Sequence, residues 1–328
     1  MHDREVLARL IEGPTSGDAL ARCSGQTRAA VWKRIEALRA AGLAIEAVPG
    51  RGYALALPLE LLDAEAIRAA LPAPVRPQLA AIEVAWSLDS TNSELLRRPA
   101  PPAGCAVLLA ERQTGGRGRR GRDWASPLAA NLYLSVSRLF GGGLARLPGL
   151  SLVAGIATAE ALRALGHGRV RLKWPNVVVV ADDGGLRKVG GLLVEGGGEH
   201  AGPVRAVLGL GLNVCMPAAA AAAIGQPWTD LATLAGAAPS RNAIAGAVLS
   251  HLLPALEAFD RDGLAPFLPR YAAFDALAGR AVSLHLHEGV RDAVAEGIEP
   301  DGALRVRLDD GAVRVVHSGE VSVRVHAA

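Results

Sequence analysis

The sequence predicts an α+β chain of three parts, and three observations predict it. The first sixty residues hold three stretches of helical spacing and then a short alternating pair around Pro49-Gly50-Arg51-Gly52. From about 81 to 276, alternating apolar runs are interleaved with long helical patterns. From about 277 the pattern changes to short alternating runs separated by Gly turns. The chain has 328 residues, 50% apolar and 20% charged, a globular composition with room for more than one core.

The formal net charge is +3. That is too small to mark a nucleic-acid binder, so any DNA binding must rest on a local surface. Cys23, Cys105 and Cys215 are odd in number, and their spacings fit neither a zinc site nor a disulfide framework. The first residues, "MHDREVLARLIEG", mix charges into an apolar pattern and do not read as a signal peptide. Every long apolar stretch is broken by polar residues, Gly or Pro. The expectation is a protein of the reducing cytoplasm with no membrane partner.

In "DREVLARLIEG", Val6, Leu7, Leu10 and Ile11 share a helical face before a Gly stop. "TSGDALARCSG" is a second helix, and "QTRAAVWKRIEALRAAG" a third, with Ala30, Val31, Ile35 and Leu38 inward. "LAIEAVPGRGYALA" alternates like a small hairpin. Three helices and a hairpin in this order predict a winged helix-turn-helix over residues 1–62. The third helix would enter a major groove with Thr27 and Arg28 leading, while Lys33, Arg34 and the wing residue Arg51 would meet phosphates. The other reading is a packing module with solvated charges. Eight Lys/Arg against seven Asp/Glu in this stretch do not decide between them. Residues 63–80, one helix and a Pro-rich run, are expected as a linker.

The part expected over 81–276 carries the chemistry. In "DSTNSELL", Thr91 and Glu94 have capping-box spacing, which predicts a helix from about Asn92. The turn before it can hold a polar ligand or simply cap the helix. "ERQTGGRGRRGRDW", residues 111–124, packs five Arg and four Gly between two predicted strands. Gly lets backbone N–H groups approach phosphate, and Arg forks match its oxygens. Such a tethered loop would be mobile when empty and ordered over a polyanion. "RVRLKWPNVVVV" reads as a strand, "RKVGGLLVEGG" as a returning strand and "VRAVLGLGLNVCM" as another. Their Gly pairs mark close approach of a ligand or of another backbone, with Lys188 just before the first pair. From 277 to 328, five short strands predict a small all-β barrel of SH3 size. His285 and His287 alternate on one strand and have no evident third metal ligand.

In order, these segments resemble the bifunctional biotin–protein ligases of bacteria, which also repress biotin synthesis. The resemblance rests on "TRAAVWKRIEALR", "VPGRGYAL", "DSTN", "GRGRRGRDW", "NLYLS", "KWPN", "RKVGGLLVE", "GLGLN" and "SGEVSVR", and it runs nearly end to end. It implies a central mixed-sheet α/β domain related to class II aminoacyl-tRNA synthetases, behind the winged helix and before an SH3-like barrel. It implies two steps: biotin and ATP, with Mg²⁺, give biotinoyl-5′-AMP and pyrophosphate, and biotin then passes to a lysine of the biotin carboxyl carrier protein of acetyl-CoA carboxylase. It also implies an adenylate-bound homodimer that binds operator DNA.

By the same resemblance, Ser90, Thr91, Asn92 and Gln113 are implied as biotin contacts. Arg117, Gly118 and Arg119 are implied as the loop that orders around biotin and the phosphates, with Arg120 and Arg122 secondary on the nucleotide. Lys188 would bond the carboxylate and α-phosphate oxygens, so that Lys188, Arg119 and Arg117 form the implied catalytic group. Gly190, Gly191 and Gly211 would admit the ligand, and Asn213, Trp124 and Asn176 would lie on the nucleotide side. One position departs from the pattern. The family motif usually reads Lys-Trp-Pro-Asn-Asp, and here Val177 stands at the acidic position. That leaves open a biotin-sensing DNA-binding regulator with impaired ligation.

Overall fold

A computed structural model describes residues 3–141, 143, 147–182, 185–198, 203–222, 224–286, 289–317 and 322–325. The N-terminal part holds α1 (Asp3–Glu12), α2 (Gly17–Ser24), α3 (Arg28–Ala40) and the antiparallel pair β1 (Ile45–Val48) and β2 (Gly52–Leu55). Ser16 and Thr27 cap α2 and α3 by accepting from the amides of Ala19 and Ala30. The core of this part gathers Val6, Leu7, Leu10, Leu20, Val31, Ile35 and Leu38. Ile11, expected inside, points outward and is 37% exposed.

The central part comprises α4 (Ala64–Ala70), β3 (Leu79–Ala85), α5 (Thr91–Arg97), β4 (Cys105–Ala110), β5 (Leu132–Phe140), α6 (Leu150–Ala164), β6 (Val170–Lys173), β7 (Val177–Asp182), β8 (Gly185–Gly198), β9 (Val204–Leu212), α7 (Ala218–Ala221), α8 (Leu231–Ala235), α9 (Arg241–Asp262) and α10 (Leu268–Ala272). Seven strands run in the order β3-β4-β5-β9-β8-β7-β6. Only β3 and β4 are parallel. The strand period of two sorts the side chains. Val107, Leu109, Leu134 and Val136 join the main core with α6 and α9, while Leu108 and Val207 pack under Leu95 of α5 on the opposite face. Ser135 and Ser137 fall on that opposite face, buried and polar.

By length and composition, α9 could cross a membrane, but most of it is buried against the core. The run expected as one strand, 169–180, is two, because Trp174-Pro175-Asn176 turns the chain between β6 and β7. The stretch expected as a linker, 63–80, is packed: Ile67, Leu71 and Val75 lie in the main core. Apolar i, i+4 spacing, not Pro content, decided its fate.

The C-terminal part has β10 (Ala281–Leu286), β11 (Gly289–Ile298), β12 (Leu304–Leu308), β13 (Val313–Val316) and β14 (Ser322–Val325), an antiparallel sheet ordered β13-β12-β11-β10-β14. It docks on the central part. Leu284, Ala295, Leu304 and Val306 extend the main core, and Trp174 Nε1 donates to the carbonyl of Gly302 at 2.9 Å. His285 is half-buried on β10, and His287 lies outside the described residues. The N-terminal part docks too: Leu128 and Ala129 enter its core, and the Leu128 amide donates to Ala41 at 2.9 Å.

The packed state of 63–80 has a direct consequence. Ile67→Ala should destabilise the chain by about 2–4 kcal/mol in denaturant or thermal unfolding. No change would mean the stretch is a free linker.

Candidate active site

The site is built on the backbone of β8 and β9. Gly191 and Gly211 face each other across the two strands. A Cβ on Gly211 would lie 2.4 Å from the Trp124 ring, and one on Gly191 would lie 3.4 Å from Trp124 and from Lys188 Cε. The Trp124 indole therefore rests on bare main chain. Its Nε1 is buried without a hydrogen-bond partner.

Strict alternation would put Lys188 on the face opposite Gly191. A bulge intervenes, because Val178 pairs with Gly190 and Val179 with Lys188. Val189 and Gly190 both turn to the core, where a Cβ on Gly190 would meet Leu212 at 3.0 Å. Lys188 thereby shares the face of Gly191, with its Nζ 4.9 Å from the Trp124 ring centroid. Burial, then the charges of Arg122 and Lys173, pull the Lys188 ammonium down to about 8. Among the described residues no carboxylate pairs with it, and such a cation is poised for an anion.

The Arg/Gly loop folds over this floor. Its start is stapled by the amides of Thr114 and Gly115 to the carbonyls of Leu88 and Asp89, both at 2.9 Å. The Trp124 amide donates to Gly116 at 2.9 Å, and the Gly118 amide to Arg122 at 2.6 Å. Between them Arg120 sits at φ +58°, the left-handed region. Arg119 Nη1 reaches Asn176 Oδ1 at 3.3 Å, and Asn176 is itself fixed by donating to Leu192 at 2.6 Å. Burial, then Arg120 and Arg122, lower the Arg119 guanidinium from its ordinary value. Arg117 turns to α5, donating to Ser93 Oγ at 2.9 Å and pairing with Glu195 at 3.3 Å.

A polar wall closes one side. Ser90 caps α5, with its Oγ 3.4 Å from the Ser93 amide. The expected Thr91/Glu94 capping box does not form, because Glu94 is drawn to Arg97 and Arg98 at 2.8 and 2.9 Å. Thr91 is freed to donate its amide, at 2.8 Å, and its hydroxyl, at 3.1 Å, to Gln113 Oε1. Gln113 Nε2 donates to Ser126 Oγ at 3.3 Å. Ser135 Oγ lies 2.7 Å from Thr91 Oγ1 and 2.6 Å from Asn92 Oδ1.

The structure gathers Thr91, Gln113, Trp124, Lys188, Gly191 and Gly211, and joins Arg119 to Asn176. Other expected residues serve the packing. Asn92 is 3% exposed and donates to Glu195 at 2.8 Å and Leu193 at 3.3 Å, and its oxygen fills the space of a side chain at Gly209. Asn213 is buried and holds Thr229 O at 3.1 Å. Ser126, Ser135 and Glu195 were not foreseen. Glu195 shares the alternation of Gly191 on β8, which was the available signal.

In the N-terminal part, Lys33 and Arg51 are exposed, and Arg28 is exposed with Asp18 at 3.2 Å. Arg34 is tied inward to Asp3 at 2.8 Å and Gln26 at 3.0 Å. Trp32 on α3, not foreseen, is 54% exposed.

The Biotin/lipoate A/B protein ligase family matches residues 84–213, an HTH domain matches 4–54, and the Biotin protein ligase C terminal domain matches 278–324. The Bifunctional ligase/repressor BirA of Escherichia coli (strain K12) is 38% identical, over 98% of this chain and 96% of that protein. The chain belongs to the biotin–protein ligase family. Within the family, the Biotin--[acetyl-CoA-carboxylase] ligase of Mycobacterium tuberculosis is 36% identical over 73% of this chain and 88% of its own length. The biotin protein ligase from Aquifex aeolicus, solved in complex with biotin and ATP, superposes with a TM-score of 0.63. It is 27% identical, over 75% of this chain and all of that one.

The contact between Gly211 and Trp124 can be broken selectively. Gly211→Ala should push the indole off the sheet and red-shift the emission. In a Trp124→Phe background the same change should leave the spectrum unmoved.

Proposed function

We propose that this chain activates biotin with ATP and passes it to a lysine of the biotin carboxyl carrier protein, and that the adenylate-bound form represses transcription. The observation that carries the reading is Lys188, a largely buried cation beside a glycine floor beneath an Arg-rich loop. A biotin carboxylate oxygen attacks the α-phosphorus of ATP. The bond to the bridging oxygen breaks, and pyrophosphate leaves. Lys188 bonds the oxygens on which charge gathers, and Arg119 and Arg117 steady the phosphates. Arg120 and Arg122 add to the positive field, and Asn176 orients Arg119.

Thr91 and Gln113 offer polar contacts to the biotin head, with Ser90 and Asn92 holding the wall. Trp124 supplies an apolar cover, and the closed loop keeps water from the mixed anhydride. In the second step the carrier lysine, as free amine, attacks the anhydride carbonyl. AMP leaves and the amine loses a proton.

Mg²⁺ enters as Mg-ATP. It would offset the negative charge of the phosphates as the carboxylate approaches; among the described residues no group of three His, Cys, Asp or Glu gathers. Thr27, Arg28, Lys33 and Arg51 form the operator-facing set, and a homodimer of adenylate-bound chains presents two of them to a palindrome. With three unpaired thiols, this work belongs in the cytoplasm.

Three measurements test the reading. With biotin, Mg-ATP and a carrier domain, the acceptor's mass should rise by one biotinoyl group. No modification, with adenylate-dependent DNA binding retained, would favour a regulator that senses biotin without ligating it. Val177, half-buried opposite Lys173 and Gly191, is the feature that favours that alternative. Val177→Asp should therefore raise biotin-dependent ATP–pyrophosphate exchange while leaving biotin affinity in place; an unchanged rate removes Val177 from the account. The third is a pH profile. Biotin's carboxylate favours charged Lys188 and raises its pKa on binding. Affinity should be level at neutral pH and fall above about 8, the value in the empty site, by about tenfold per pH unit. In Lys188→Arg the fall should vanish.

A further inference from the structure

Glu111 and Arg241 form an ion pair at 2.8 Å, with side chains only 3% and 4% exposed. Both sit outside the ligand-facing set. Burying two charges is costly, so the pair asks for a role beyond stability. What it touches supplies one.

Glu111 is the first residue of the Arg/Gly loop. Its amide donates to Ala85 O and its carbonyl accepts from the Ala129 amide, each at 2.9 Å, which closes the base of the loop. Its carboxylate does something separate, accepting from the Leu62 amide at 2.6 Å. Leu62 belongs to the strap that leaves the N-terminal part. Arg241, the first residue of α9, donates to the carbonyl of Asn131 at 3.3 Å and to that of Glu60. Its neighbour Asn242 holds the same strap, donating to Leu61 O at 2.9 Å and accepting from the Asp63 amide at 2.8 Å. One residue thus fixes the root of the ligand loop with its main chain and the root of the DNA-binding part with its side chain.

We propose that Glu111 and Arg241 are positioning residues that hold the root of the ligand loop and the strap of the N-terminal part in one register. A shift at one is then felt at the other. Loop residues Gln113 and Arg117 through Trp124 hang from this root, and so does Ala129, which enters the core of the N-terminal part. In its effect on adenylate retention, the proposal rests on the function proposed above.

The test uses the full chain. In Glu111→Leu/Arg241→Met, apolar side chains replace both charges, so no orphaned ion remains. Its melting temperature should stay near the parent's. Amide hydrogen exchange on the empty protein should show Leu62 and Ala129 losing protection together. Adenylate formed in place from biotin and Mg-ATP should leave faster, by on the order of ten- to a hundredfold. The KM for biotin should rise more than kcat falls.

If the double variant does not fold, Arg241→Lys serves. It keeps the charge but cannot reach Glu111, Glu60 and Asn131 at once, and it should show the same paired loss to a smaller degree. Exchange that changes at Leu62 while Ala129 and adenylate retention stay parental would overturn the proposal, because the pair would then anchor only the strap. A parent that forms no adenylate overturns the proposed function alone, and the exchange result still decides the positioning role.

Discussion

A Cβ cannot stand at Gly211 without displacing the Trp124 ring, and at Gly191 it would already touch both Trp124 and Lys188. That constraint organises the centre of the molecule. Two adjacent strands leave a bare patch of backbone in the middle of a seven-stranded sheet, and the Trp124 ring covers it. Everything chemically useful is arranged around that patch. The bulge in β8 brings Lys188 to its edge, the Arg/Gly loop lies above it, and the α5 wall bounds it. A side chain on Gly211 would push the Trp124 ring off the sheet, and with it the end of the loop that carries it.

The wall holds its shape because its polar groups are satisfied by one another. Asn92 lies at its centre, with Ser135 on one side and Glu195 on the other. Such a buried network is stiff, since any member that moves leaves others unpaired. The Arg/Gly loop above the floor is held differently from the wall. The loop's main-chain bonds lie near its two ends, while Arg117 reaches Ser93 and Glu195 and Arg119 reaches Asn176. Motion of the tip need not disturb the floor.

Much of this was legible in the sequence. Helical spacing gave the three N-terminal helices, and Gly-punctuated alternation gave the C-terminal sheet. Of the Gly pairs of β8 and β9, expected to mark close approach of a ligand or another backbone, Gly191 and Gly211 lie under Trp124, Gly209 under Asn92, and Gly190 faces the core. What escaped depended on tertiary context. Capping-box spacing pointed to Thr91, but Arg97 and Arg98 capture Glu94, and the cap passes to Ser90. Asn92 and Asn213, expected as ligand contacts, also brace the sheet from within, which no local pattern indicates. The Glu111–Arg241 pair spans 130 residues of chain, and neither local pattern hints at the other. Lys188 reaches the site only through a bulge, which no period-two reading provides.

The central claim is that Lys188 waits beside the glycine floor as an under-compensated cation. Its titration can be followed directly by NMR of ¹³C-labelled lysine side chains, assigned by comparison with Lys188→Arg. The account predicts an ammonium that titrates near pH 8 in the empty protein and moves upward when biotin is added. A Lys188 that titrates at its ordinary value of 10.5, and does not move with biotin, would contradict it.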